Sequence, residues 1–282
     1  MTLQQDQQTF LNLAETLQLE IVVDFPHPHV VRVRLNAPKR LNCVPAADHA
    51  KFDKLWTLFE ELPSLRVVIL TGTGRVFCAG ADLKGWRTAI TDTSVPPDIL
   101  SDNGFLGISD RTSKKPFIAA LNGPAYGGGT ETLLNCDMVV AVASATISLP
   151  EPRRSVAAIA GALPRLGRLL PLQRAMEIAL LAEPVSAVQM HTWGIVTRVE
   201  PTTEDVQATA LALAKRILLS APEALAVTLS GIRRGYETTA ESLKENSRRV
   251  YDSQEAEAMN SSENIGEGLA AFAEKRTPQW KL

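Results

Sequence analysis

Two glycine-bearing turns and two glutamates hold the residue types that could stabilise a charge or move a proton. Cys78-Ala79-Gly80-Ala81-Asp82 surrounds the amide of Ala81 with small side chains, which leaves that amide open. Gly127-Gly128-Gly129-Thr130-Glu131 follows an apolar run and opens a stretch with helical character. Amides at a helix start lack intrahelical acceptors and sit at the positive end of the helix dipole, so they bind developing negative charge. A carbonyl oxygen that becomes an enolate needs two such donors. Glycine turns also serve close helix–strand packing, and composition alone favours that plainer use.

Glu131 falls in the first turn of the helix after the triple glycine, where an acid also simply complements the dipole. Glu151 lies between Pro150 and Pro152, so its backbone is restricted on both sides. A fixed carboxylate at a strand end suits proton transfer, and an ordinary loop acid would look the same. Two acids sharing a low-dielectric pocket split their pKa values, which lets one act as base and the other as acid. Neither turn carries the GxxxxGK[ST] or GxGxxG pattern of a phosphate loop, and no GxSxG marks a serine nucleophile. His27, His29, His49 and His191 show no ligand spacing with an acid or a cysteine, so they read as packing or surface residues and no metal is expected.

The elements that must position these residues are visible as changes of period. Val31 to Leu35 alternates as a half-exposed strand, and Ala47 to Leu62 spaces Phe52, Leu55, Trp56 and Phe59 as a helix. Arg66 to Thr71, Phe117 to Leu121, Met138 to Val142 and Ile147 to Leu149 are apolar runs separated by glycine turns or helical segments, the pattern of a parallel α/β core. From Glu204 onward the apolar residues recur at helical intervals, ending in an amphipathic stretch from Gly266 to Arg276 whose apolar face needs a partner surface. The chain thus divides into residues 1–202, which carry the candidate site, and a helical region over 203–282.

With 45% hydrophobic and 21% charged residues the chain falls in the globular range, and a net charge of -2 gives no electrostatic footprint for nucleic acid. Cys43, Cys78 and Cys136 lie far apart in an odd count, which fits a reducing compartment. The apolar stretches stop short of membrane-spanning length, and Met1 to Glu20 reads neither as a signal peptide nor as a presequence. Trp280-Lys281-Leu282 shares only Lys-Leu with a peroxisomal address, so the expected location is cytoplasmic or peroxisomal.

Together these segments resemble the crotonase family, the enoyl-CoA hydratase/isomerase superfamily, from about residue 20 onward. The resemblance rests on Leu35-Asn36-Ala37-Pro38 with Leu41-Asn42, on Ala79-Gly80-Ala81-Asp82-Leu83-Lys84, on Phe117 to Gly123, and on Gly127 to Glu131 followed by Cys136-Asp137. It continues through Leu149-Pro150-Glu151, Ala187 to Val199, and Glu267 to Arg276.

The resemblance implies a spiral of ββα units with a helical C-terminal part that trimerises, often into a hexamer. It implies an oxyanion hole from the amides of Ala81 and Gly128. Glu131 and Glu151 match the two acids that hydrate a 2-enoyl-CoA to a 3-hydroxyacyl-CoA or catalyse the reverse dehydration, with no cofactor beyond the coenzyme A of the substrate. The backbone of Ala79, Gly80, Ala81, Asp82 and Leu83, the side chain of Lys84 and the turn at Gly127 and Gly128 match coenzyme A contacts. Phe272 and Lys275 match residues that reach the coenzyme A of a neighbouring subunit. Departures follow Glu151, where Ser155 and Ile159-Ala160-Gly161-Ala162 replace a glycine-richer loop, and in the long polar stretch Trp86 to Arg111, which resembles a carnitinyl-CoA-dehydratase-like branch. The alternatives are a double-bond isomerase using Glu151 alone and a non-catalytic binding protein on the same fold, an RNA-binding relative included.

Overall fold

The computed structural model describes residues 2–83, 100–237 and 248–282. Its framework is a six-stranded sheet in the order β1-β2-β3-β4-β6-β9. The strands are β1 (Ile21–His27), β2 (Val30–Leu35), β3 (Val67–Gly72), β4 (Phe117–Leu121), β6 (Met138–Val142) and β9 (Arg198–Glu200). All neighbours pair in parallel except β1, which closes the edge as an antiparallel hairpin with β2. Every residue of β3 and β4 is buried, which is why those strands read as unbroken apolar runs rather than alternating ones.

A second, smaller layer holds β5 (Ala125–Tyr126), β7 (Thr146–Ser148) and β8 (Val185–Ser186). Single-residue bridges from Val44 to Ala81 and from Cys78 to Ala125 extend that layer. Strands β2, β3, β4 and β6 of the large sheet therefore each feed a short extended segment of the second layer. Helix α2 (Ala46–Glu61) follows Val44, and α3 (Gly128–Asn135) follows β5. This is the spiral of ββα units expected from the sequence.

The core lies where α2 packs beside the sheet. Trp56 and Phe59 are fully buried and meet the edge of Phe117 with ring centroids 5.4 and 5.7 Å apart. The indole N–H of Trp56 donates to the carbonyl of Leu106 at 2.8 Å, so burial leaves it satisfied. Asn42, on a left-handed backbone with φ 55°, accepts from the amide of Ala37 and donates to the carbonyls of Thr73 and Val76 at 2.9 and 2.8 Å. Asn122 accepts from the amide of Gly72 at 3.0 Å and donates to the carbonyl of Gly74 at 2.8 Å. The loop leading to Cys78 and Ala81 is thus fixed from both sides.

Further helices are α4 (Ala162–Leu169), α5 (Leu172–Leu181), α6 (Ala187–Thr192), α7 (Thr203–Ile217), α8 (Pro222–Glu237), α9 (Gln254–Ser261) and α10 (Glu263–Glu274). Helix α7 lies on the large sheet and buries Val206, Ala210 and Ala214 in the core. The Gln-rich start forms α1 (Leu3–Thr16), begun by a Thr2–Gln5 capping box and tied down by Asp6, whose carboxylate accepts from the amide of Ser64 at 2.9 Å. Among the described residues no helix is long and apolar enough to cross a membrane.

Candidate active site

The turn after β3 and the start of α3 meet at van der Waals distance. A Cβ on Gly129 would stand 2.7 Å from the carbonyl oxygen of Cys78, and one on Gly80 would stand 3.3 Å from the amide nitrogen of Gly128. Only residues without a side chain allow the two backbones to approach so closely. Gly127 adopts φ 53° and ψ −125°, turning the chain from β5 into α3. Its amide donates to the carbonyl of Ser148, whereas among the described residues no protein acceptor is found for the amides of Ala81 and Gly128. Both residues line one cavity of about 820 Å³, within the range of small-molecule sites.

Glu131 and Glu151 line the same cavity. Glu131 is carried on the first turn of α3 and is 5% exposed; the amide of Ala162 donates to its Oε1 at 3.4 Å. Burial, reinforced by the nearby charge of Glu151, raises its pKa to about 7, against the partial pull of the Ala162 and Ala160 amides. Glu151 begins a short 3₁₀ turn over Glu151–Arg154 and is half-buried. Burial raises its pKa as well, and its Oε2 is enclosed without a hydrogen-bond partner among the described residues. The two acids expected to work as a pair therefore line one cavity, and burial raises the pKa of both.

The altered loop after Glu151 supports this arrangement rather than closing the cavity. Ser155 takes a left-handed backbone at φ 57°, and Val156, Ala157, Ile159 and Ala160 form part of the cavity wall. Cys78 lies beneath the first turn as a packed thiol: its Sγ–H donates to the carbonyl of Asn42 at 3.2 Å, and burial pushes its pKa up to about 12. That rules it out as a thiolate nucleophile at neutral pH.

Of the expected coenzyme A contacts, Ala79, Gly80, Ala81, Leu83, Gly127 and Gly128 line the cavity. Asp82 does not line it, and its carboxylate approaches Arg40 at 3.5 Å. Lys84 and the start of the segment from Trp86 lie outside the described residues. Phe272 and Lys275 are not brought to the cavity by their own chain; Phe272 is 85% exposed on α10. Leu41, His49, Phe105 and Tyr126 also line the site, and reading the sequence passes over them because each has a plain packing role. The one available signal is that His49 shares the buried face of α2 with Phe52 and Trp56.

The profile of the enoyl-CoA hydratase/isomerase family matches residues 27–282. A mevalonyl-coenzyme A hydratase, sidH, of Aspergillus fumigatus is 44% identical over 264 residues, covering 92% of this chain and 94% of that one. A carnitinyl-CoA dehydratase of Proteus mirabilis is 35% identical over 257 residues, covering 89% and 95%. The crystal structure of an enoyl-CoA hydratase from Mycobacterium marinum superposes with a TM-score of 0.82 at 32% identity, covering 93% and 99%. The chain belongs to the enoyl-CoA hydratase/isomerase family. Within that family it is a lyase that adds water to acyl-CoA thioesters or removes it from them.

Proposed function

We propose that the chain interconverts a 3-hydroxyacyl-CoA and the corresponding 2-enoyl-CoA, and that its acyl group is of the mevalonyl type. The observation that carries the reaction is the presence of Glu131 and Glu151, both with pKa raised by burial, in the cavity that Ala81 and Gly128 also line. The similarity to the mevalonyl-coenzyme A hydratase supports the acyl group. Such a group carries a hydroxyl and a methyl on C3 and a second hydroxyl on C5.

In the dehydration direction the carboxylate of Glu151 removes a proton from C2. The electron pair moves onto the thioester oxygen, which accepts hydrogen bonds from the amides of Ala81 and Gly128. The C3–O bond then breaks while Glu131, still protonated near neutral pH, gives its proton to the departing hydroxide, and water leaves. Glu151 ends protonated and Glu131 ionised, which is the state that starts hydration from the other side. The raised pKa of Glu131 keeps the donor form available where an ordinary carboxyl would have lost it.

The coenzyme A moiety is proposed to run along the backbone from Ala79 to Leu83 and the turn at Gly127. The chain is proposed to assemble as a trimer or hexamer. Ile265, Leu269 and Phe272 form an exposed apolar stripe on α10, and Leu172, Met176 and Leu180 form another on α5.

The test is incubation of the purified protein with 3-hydroxyacyl-CoAs, mevalonyl-CoA among them, while the absorbance of the conjugated thioester is followed. Glu131→Gln and Glu151→Gln are each expected to lower kcat by about 10²–10⁴-fold. Wild-type rates in both variants, or a product whose double bond has moved without exchange of water, would sink the assignment.

A further inference from the structure

His49 is a buried histidine, 1% exposed, on the face of α2 that borders the cavity. The amide of Leu106 points at its Nδ1 at 3.3 Å. A backbone amide can only donate, so Nδ1 must accept. Burial holds the ring neutral, with a pKa lowered to about 4, and a neutral imidazole that accepts at Nδ1 carries its proton on Nε2. Among the described residues this Nε2–H has no hydrogen-bond partner, yet it is not an enclosed orphan, since the ring borders the cavity.

The ring stacks on Phe105 with centroids 4.5 Å apart, and Phe105 in turn covers Gly128, where an added Cβ would fall 2.3 Å from the aromatic ring. His49 therefore sits one aromatic ring away from the amide proposed to hold the thioester oxygen, in the part of the cavity next to the reacting carbons. Packing does not require the second nitrogen. Any flat or branched apolar group would cover Phe105, and an asparagine would satisfy the Leu106 amide. Among the described residues the Nε2–H is a donor beyond what the fold uses.

We propose that His49 is a specificity-determining residue whose Nε2–H donates to a hydroxyl oxygen on the acyl chain beyond C3. This rests on the acyl-CoA reading above and names the feature of the acyl group that the site recognises. A neutral N–H donor offers an uncharged oxygen a hydrogen bond, and the cations that border the cavity, Arg153 and Arg154, lie on the turn after Glu151 rather than on α2. A site built around such a donor disfavours acyl groups lacking the oxygen, since the N–H then loses its water and gains nothing.

The test uses the full chain and two unreactive ligands, coenzyme A thioethers in which a methylene replaces the thioester carbonyl. One carries a hydroxyl on the carbon matching C5 and the other lacks it. Calorimetry on the wild type is expected to show about two- to tenfold tighter binding of the hydroxylated thioether, the range an ordinary neutral hydrogen bond gives. His49→Gln, which can place an amide N–H near the position of Nε2, should keep a preference. His49→Asn keeps an acceptor for Leu106 but lacks the reach, and should lose it while melting near the wild-type temperature. Equal affinities for the two ligands in the wild type, or an undiminished preference in His49→Asn, overturn the proposal. The ligands need no turnover, so a protein without dehydratase activity would still give the ratio, and failure of that activity remains distinguishable.

Discussion

A methyl group added to Gly127 would stand 2.8 Å from Oε1 of Glu151, so one carboxylate rests directly on the residue that starts the helix carrying the other. Gly127→Ala therefore both strains a backbone at φ 53° and pushes Glu151 out of place. It is expected to lower kcat/KM at least about tenfold and to destabilise the fold by roughly 1–3 kcal/mol. Steady-state kinetics and a thermal melt on the same preparation check both parts.

In the proposed mechanism the proton on Glu131 goes to the leaving hydroxide, and it should set the alkaline limb of the rate profile, since the group loses it as the pH passes about 7. A profile of kcat/KM against pH should fall above that value, with the apparent constant belonging to the Glu131–Glu151 pair. Residual activity in Glu131→Gln should lack this limb; an unchanged limb would assign the titration to another group.

Stability should move in the same window. The folded-state pKa of Glu131 is raised above the ordinary 4.5, so the folded chain keeps a proton that the unfolded chain releases. The contribution of Glu131 to stability is full below about pH 4.5 and declines as the pH rises toward 7, by on the order of 1.4 kcal/mol for each pH step of one within that window. Glu131→Gln carries no such group. Its melting temperature relative to wild type should climb between about pH 5 and pH 8, and a constant difference would contradict the burial argument.

Lys115 is a structural counterpart to these acids. Its ammonium donates to the carbonyls of Phe59, Leu62 and Leu65 at 2.8, 2.7 and 2.8 Å, closing the C-terminal end of α2. Lys115→Met removes the donor to three carbonyls, of which that of Leu62 still accepts from the amide of Leu65, and should cost about 2–4 kcal/mol, read as a lower denaturation midpoint. Because α2 also carries His49, substrate preference should be checked in parallel.

The stripe on α10 gives a test of assembly. Leu269 and Phe272 are 69% and 85% exposed, and replacing either with aspartate places a charge on the proposed contact surface. Sedimentation should then show a smaller species than wild type. An already monomeric wild type would remove the oligomer from the proposal and leave the chemistry of the single chain untouched.

Much of this arrangement is legible in the sequence because its physical causes are local. A strand buried on both faces must be apolar throughout, as Val67 to Leu70 is, and backbones meeting at contact distance must be glycine, as at Gly80 and Gly129. The two acids stand out only once the family pattern is set beside them, since a first-turn glutamate and a loop glutamate have ordinary uses. For His49 the helical spacing with Phe52 and Trp56 shows a place on the buried face of α2 but not a free donor. Its tautomer is fixed by the amide of Leu106, a partner brought to it by tertiary folding. The N-terminal helix is hidden for a different reason: its Gln-rich surface masks the few positions, Phe10 and Ala14, that it buries.

The clamps formed by Asn42 and Asn122 have a consequence for the energetics of the proposed reaction. Their side chains hold the loop over residues 73–77 that leads into Cys78 and Ala81. An incoming thioester would find its oxygen's donors already oriented when the chain finishes folding. Negative charge arriving on that oxygen then meets fixed dipoles that need not turn to face it, which water around a free thioester must do.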